Sequence, residues 1–161
     1  MCGIVGIYNF SNNKKINKSE LKIFNNSLRH RGPDGENYFY SEDESLGFGH
    51  RLLKITSNSN DNIQPFRDLR NNYILIYNGE IFNFKDIRKQ LILKNYTFRT
   101  NSDTEVFLNS YIEWGEKCFN IFNGMWAAAI WDIKNQKLIL TRDRFGEKPL
   151  YYLYKNNTFY F

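Results

Sequence analysis

"MWAAAIWDIKNQKLILTRD" (residues 125–143) reads as a β-hairpin, and it sets the pattern for the rest of the chain. A second hairpin is read in "LYYLYKNNTFYF" (150–161), with the chain ending inside its last strand. A third covers residues 37–53 and turns at the acidic "EDE" (42–44). Ile4 to Tyr8 reads as a strand. "YILIYNGE" (73–80) reads as a buried strand ending in Asn-Gly, a turn signal. Helices fall in their own group. Asn17 to Leu28 carries an N-cap at Asn17 with Glu20 three residues on, and Leu21, Phe24 and Leu28 share a face. Phe84, Ile87 and Leu91 define a second helix. Residues 101–115 define a third, with Phe107, Tyr111 and Trp114 aligned and Gly115 as its stop. Strands in hairpins and helices apart predict an α+β fold, with antiparallel sheets and helices on their outer faces, rather than βαβ units.

The chain of 161 residues is long enough for one domain with its own core, and 42% of it is apolar. No stretch is long and apolar enough to span a membrane. Basic residues follow the first apolar run instead of preceding it, so the start is no signal peptide, and a cytoplasmic protein is expected. The net charge of +5 is spread among carboxylates with no long basic block, which argues against a nucleic-acid partner. The two cysteines, Cys2 and Cys118, have no zinc-binding spacing, and a disulfide between them is not expected in a reducing compartment.

Cys2 stands directly behind the initiator methionine. Loss of Met1 would leave a thiol and a free α-amino group on one residue. An amine of pKa near about 7.7–8.0 can serve as a base without a histidine. The competing arrangement pairs Cys2 with His30 or His50; the bland one makes Cys2 a small residue at a frayed end. Asn78 and Gly79 could turn a side-chain amide and a backbone N–H on one oxygen, as an oxyanion hole does, or could simply make a turn. Arg51 could clamp a carboxylate or be a plain strand arginine. Asp103 could hold an ammonium group, or could support a helix start that Ser102 and Glu105 close as a capping box. Taken together, these groups suit an amino acid with a side-chain amide, and glutamine is the obvious one.

Eight motifs in order give the chain a family likeness: "MCGIVGIY", "RHRGPDG", "GHRLL", "QPF", "YNGEIFNF", "SDTE", "GMWAAAIWD" and "RDRFGEKPLYY". The chain resembles the class II, N-terminal-nucleophile glutamine amidotransferase domains. Among them it is most similar to the N-terminal domain of the glutamine-hydrolysing asparagine synthetases. The resemblance covers residues 1–161 as one domain and implies the four-layer αββα sandwich. It also implies Cys2 as nucleophile, Asn78 and Gly79 as oxyanion hole, and Arg51 on the glutamine α-carboxylate. Leu52, Leu53, Lys54 and Ile55 would line the pocket, with Glu80 and Asp103 near the glutamine amino group. The implied product is ammonia, passed to an ATP-dependent synthetase domain or subunit for asparagine synthesis; another acceptor such as a sugar, or a non-catalytic regulatory domain of the same fold, stays open.

Two departures stand out. "LLKITSNSNDN" (52–62) has no aspartate directly after Ile55, and the loop before Gln64-Pro65 is altered in length. The synthetase domain is missing. No cofactor or metal is expected in this chain, because ATP and magnesium would belong to that absent domain. The expectation is therefore a truncated form of a longer product, or a separate synthetase subunit that docks on it.

Overall fold

A computed structural model describes residues 2–11, 14–54 and 64–161. Strand β1 (Gly3–Asn9) leads to helix α1 (Lys18–Ser27), then β2 (Gly35–Tyr40), β3 (Leu46–Leu52), β4 (Phe66–Arg67) and β5 (Tyr73–Ile81). Helices α2 (Phe84–Leu93) and α3 (Asp103–Trp114) follow, then a 3-10 helix (Gly115–Asn120). Strands β6 (Gly124–Asp132), β7 (Lys137–Arg142), β8 (Leu153–Lys155) and β9 (Thr158–Tyr160) complete the chain. The strands form one five-stranded sheet in the order β2-β3-β1-β9-β8 and one four-stranded sheet in the order β4-β5-β6-β7. Every pairing is antiparallel.

Strand alternation produces the layers. In β1, Val5 and Ile7 pack with Leu21 of α1, whereas Ile4 and Tyr8 turn to the opposite face. There they meet Ile74 and Ile76 of β5, Phe48 of β3, and Ala129 and Trp131 of β6. The other face of β5, through Leu75, Tyr77 and Ile81, packs on Ile87 and Leu91 of α2 and on Val106 and Phe107 of α3. The result is an αββα sandwich: α1, the five-stranded sheet, the four-stranded sheet, then α2 with α3.

The Asn17 cap forms as expected, its side-chain oxygen accepting from the N–H groups of Ser19 (3.0 Å) and Glu20 (3.2 Å). Gly115 ends α3 at φ +59°, a conformation that costs glycine little.

Two expectations need correction. The Asn78-Gly79 pair makes no turn: β5 runs on to Ile81, with Asn78 opposite Ala127 and Gly79 opposite Trp126. The pairing continues because β6 matches β5 at nine residues each. At Gly79 the strands lie so close that a Cβ would collide with the Met125 carbonyl oxygen. The capping box also fails to form. Glu105 turns back onto the preceding loop and accepts from Arg99 N (3.0 Å), Thr100 N (2.7 Å) and Thr100 Oγ1 (2.8 Å). The hairpin at 150–161 lies partly at the surface. Tyr151 to Lys155 are exposed, because β8 is an edge strand paired only with β9. Finally, β4 and the 3-10 helix were not foreseen; two residues of strand carry no readable period.

Candidate functional site

Cys2 precedes β1 and is half-buried. It lines a cavity of about 220 Å³ together with Gly3, Ile4, Leu28, Arg31, Asn78 and the Pro149–Tyr151 wall. Asn78 reaches it because its β5 position shares the inter-sheet face of Ile74 and Ile76. Phe161 closes one side. Its backbone exchanges hydrogen bonds with Gly6 (2.9 and 3.0 Å), and its ring lies where a Cβ on residue 6 would stand.

The Gly79 N–H follows from strand geometry. N–H groups of alternate residues leave a strand on the same side. On the β4 side of β5, beyond the short β4, Tyr77 N donates to Gln64 Oε1 (2.6 Å) and Ile81 N donates to Asp103 Oδ2 (3.0 Å). Gly79 stands between these two, so its N–H points out along the same open edge. The edge beyond β4 thus has two N–H groups taken by side chains, with the Gly79 N–H between them.

Asp103 sits at the start of α3 and accepts a second hydrogen bond from the Tyr77 hydroxyl (2.7 Å). Burial pushes its carboxyl above the ordinary value, against the hydrogen bonds from Tyr77 and Ile81 and with the help of the Glu80 charge. The Tyr77 phenol is raised far above its usual value, first by burial, then by the charges of Asp103, Glu80 and Cys2. Tyr77 is therefore close enough to feel both the Cys2 sulfur and the acidic pair. The structure gathers Cys2, Asn78, Gly79, Tyr77, Glu80 and Asp103 at one end of the sandwich, with Glu80 exposed.

Arg51 is not brought to this cavity. Its register opposite Gly3 and Glu36 turns it to the α1 face, where it is only 6% exposed. Its Nε donates to Asn25 O (3.0 Å), and its Nη2 contacts Asn26 Oδ1 and pairs with Glu36 at 2.6 Å. Leu52 ends β3 and, with Leu53, is half-buried; the Lys54 N–H donates to Asp34 Oδ2 (2.7 Å) in the "RGPDG" turn, and Ile55 lies outside the described residues. Of the two histidines, His30 is exposed, with Nδ1 3.0 Å from Ser27 O. His50 is 1% exposed, and neither ring nitrogen has a partner among the described residues. No hydrogen bond joins either one to Cys2. Cys118 is fully buried, and burial lifts its thiol to about 12, which leaves it chemically quiet.

A cysteine and a side-chain amide lining one cavity are groups that can carry acyl transfer. The sequence profile of the glutamine amidotransferase domain matches residues 1–161. The chain belongs to the glutamine amidotransferase domain family. It is 41% identical over its full length to glutamine-hydrolysing asparagine synthetase 1 of Bacillus subtilis, of which it spans 25%. It is 38% identical, again over its full length, to a putative glutamine-hydrolysing asparagine synthetase of Methanocaldococcus jannaschii, of which it spans 33%. The chain thus corresponds to a quarter to a third of the length of these relatives. Among solved structures, the glutamine phosphoribosylpyrophosphate amidotransferase of B. subtilis matches 98% of this chain and 40% of its own, with a TM-score of 0.74 at 19% identity. That likeness establishes the shared fold.

Within this amidotransferase domain, sequence reading missed three residues. Gln64 sits in the quoted "QPF" motif, but nothing local says that its side chain reaches β5. Tyr77 looked like one more buried strand aromatic. Arg31 was quoted inside "RHRGPDG" without a role of its own, yet its Nε donates to the Cys2 carbonyl (3.3 Å). Among the described residues there is no helix long and apolar enough to cross a membrane.

Proposed function

We propose that this domain hydrolyses glutamine to glutamate and ammonia through a thioester on Cys2. The reading is carried by Cys2 and the Asn78 amide lining one cavity beside the open edge where the Gly79 N–H points. Once Met1 is removed, the Cys2 α-amine takes the thiol proton as Sγ bonds to the amide carbon. The charge that develops on the carbonyl oxygen is met by the Asn78 side chain and the Gly79 N–H. As the intermediate collapses, the C–N bond breaks and the ammonium of Cys2 returns its proton to the departing ammonia. Water then adds to the thioester with the amine again as base, and glutamate leaves. Tyr77, Glu80 and Asp103 provide an acidic flank for the substrate's ammonium.

Ammonia from this reaction goes to an ATP-dependent synthetase portion and serves asparagine synthesis from aspartate. Two things support that assignment: the asparagine synthetases to which the chain is similar are three to four times its length, and the cavity wall continues into exposed Tyr151, Tyr152, Leu153 and Tyr154. ATP and magnesium act on the synthetase portion and not here. The test is glutamate and ammonia release by the domain lacking Met1, with mass spectrometry for a glutamyl adduct on Cys2. Release that persists in Cys2→Ala would overturn the Cys2 thioester, and full activity with Met1 retained on every molecule would overturn the α-amine as base.

A further inference from the structure

A carboxylate that is to receive an ammonium binds better when its position is already fixed, because a loose side chain must be ordered at each binding event. Asp103 is fixed from β5. Its Oδ2 accepts from the Tyr77 hydroxyl (2.7 Å) and from Ile81 N (3.0 Å), and neither donor uses Oδ1. Tyr77 is in turn held at three points, of which the hydroxyl is one. Its main-chain N–H donates to the buried Gln64 through Oε1 (2.6 Å). Its buried ring lies 5.1 Å from that of Phe107, tilted at 44°. Asp103 and Phe107 stand at i and i+4 of α3, on one face, so the helix holds the hydroxyl with one side chain and the ring with the other. Alternation along β5 turns Tyr77 to α3 and the next residue, Asn78, to the Cys2 cavity. Burial, and then the charges of Asp103, Glu80 and Cys2, keep the phenol protonated, so it acts on Asp103 as a donor.

Resting on the glutaminase reading, we infer that Tyr77 is a positioning residue: its hydroxyl fixes the Asp103 carboxylate that receives the substrate's ammonium. Without the hydroxyl, only the main-chain N–H groups of Ile81 and Thr104 still hold that carboxylate, and its orientation loosens. The loss falls on binding, so KM rises far more than kcat falls. It also moves a pH dependence. Burial and the Glu80 charge raise the Asp103 carboxyl, and the hydrogen bonds from Tyr77, Ile81 and Thr104 oppose them. Removing the hydroxyl removes one opposing bond, so Asp103 takes its proton, and releases an ammonium, at higher pH.

The test separates binding from chemistry. In the Cys2→Ala chain, calorimetry should show glutamine binding weakened by roughly 10-fold on Tyr77→Phe, the low end for one hydrogen bond to a charged group. Binding of glutaramate, which is glutamine without its amino group, should not change. In an Asp103→Asn background, adding Tyr77→Phe should alter glutamine affinity by less than about twofold, because the carboxylate it positions is gone. On acidification, glutamine binding should fade at a higher pH in Tyr77→Phe than in its parent. In the Cys2 chain, Tyr77→Phe should raise KM for glutamine by a factor similar to the loss of affinity. Thermal melts run alongside, and Tyr77→Met, an adaptable apolar side chain, replaces Tyr77→Phe if that variant does not fold. Equal weakening of glutamine and glutaramate, unchanged glutamine affinity, an effect that persists in full in Asp103→Asn, or no glutamine binding by Cys2→Ala at all would each overturn the Tyr77 assignment. Glutamine binding that depends on Tyr77 as stated, without ammonia release from the Cys2 chain, would overturn the reaction and leave Tyr77 in place. Ammonia release with an unaltered KM in Tyr77→Phe would do the reverse.

Discussion

Acid should unfold this domain through His50 before its carboxylates are fully protonated. The imidazole lies on β3 between Ile4 of β1 and Asn37 of β2, on the inter-sheet face, 1% exposed, with no partner at either nitrogen among the described residues. Burial without a hydrogen bond penalises the charged ring and lowers its pKa from 6.5 to about 4. The unfolded chain binds this proton at 6.5 and the folded chain does not, so the neutral ring's contribution is complete above 6.5 and is lost as pH falls toward 4. At about 1.4 kcal/mol per pH unit, that gap amounts to about 3 kcal/mol, a large share of a typical domain's stability. Urea unfolding of the wild type and of His50→Asn at several pH values between 7.5 and 4 measures it. The wild type should lose about 3 kcal/mol relative to the variant over that range, mostly between pH 6.5 and 4, with unchanged m-values. The His50 ring resonance should titrate near 4 in the folded protein. Parallel stability curves for the two proteins, or a ring that titrates near 6.5, would show that the imidazole is solvated and refute the argument.

Asn78→Ala should slow turnover by roughly 10²–10³ with glutamine binding nearly intact, as expected for one oxyanion donor; unchanged steady-state kinetics would return Asn78 to a structural role. Asp103→Asn keeps an acceptor for Ile81 N and should cost little stability, whereas Asp103→Ala leaves that N–H unpaired and should cost about 1–3 kcal/mol in urea melts. Because burial raises the Asp103 carboxyl above its ordinary 3.8, its stabilising contribution is complete below that pH and fades above it. The wild type should therefore lose ground to Asp103→Asn as pH rises, and KM for glutamine should rise in both variants. Asp143 accepts from the N–H groups of Trp126 (3.2 Å), Phe145 (3.1 Å), Glu147 (2.9 Å) and Lys148 (3.0 Å), and so builds the loop that ends in the Pro149–Tyr151 wall. Asp143→Ala should lower Tm by about 5–12 °C, because four N–H groups lose their acceptor, two of them in buried hydrogen bonds, and should raise KM for glutamine as the wall loosens.

The sequence by itself determined the hairpins, the three helices, the Asn17 cap and the antiparallel α+β class. Those features depend on spacing and on residues near in the chain, where alternation, helical period and capping chemistry act within a few positions. Cys2 was legible for the same reason, since its chemistry comes from its place beside the initiator methionine. Which groups Cys2 meets was a tertiary decision. Asn78 and Gly79 read as a turn because the local signal is genuine; only a partner strand as long as β5 keeps them in register and turns the amide inward. Glu105 reads as a cap because Ser102 lies three residues before it, but the carboxylate finds three donors in the loop it packs against. The two arginines make the clearest case. In sequence, Arg31 and Arg51 are each an arginine in a family motif, and only Arg51 reads as a carboxylate clamp. The register of β3 against β1 sends Arg51 to the α1 face, and the close approach at Gly32 carries Arg31 to the cavity. A one-residue difference in strand phase reverses the face of a side chain, and that phase is set by pairing across the sheet, not by the residues on either side.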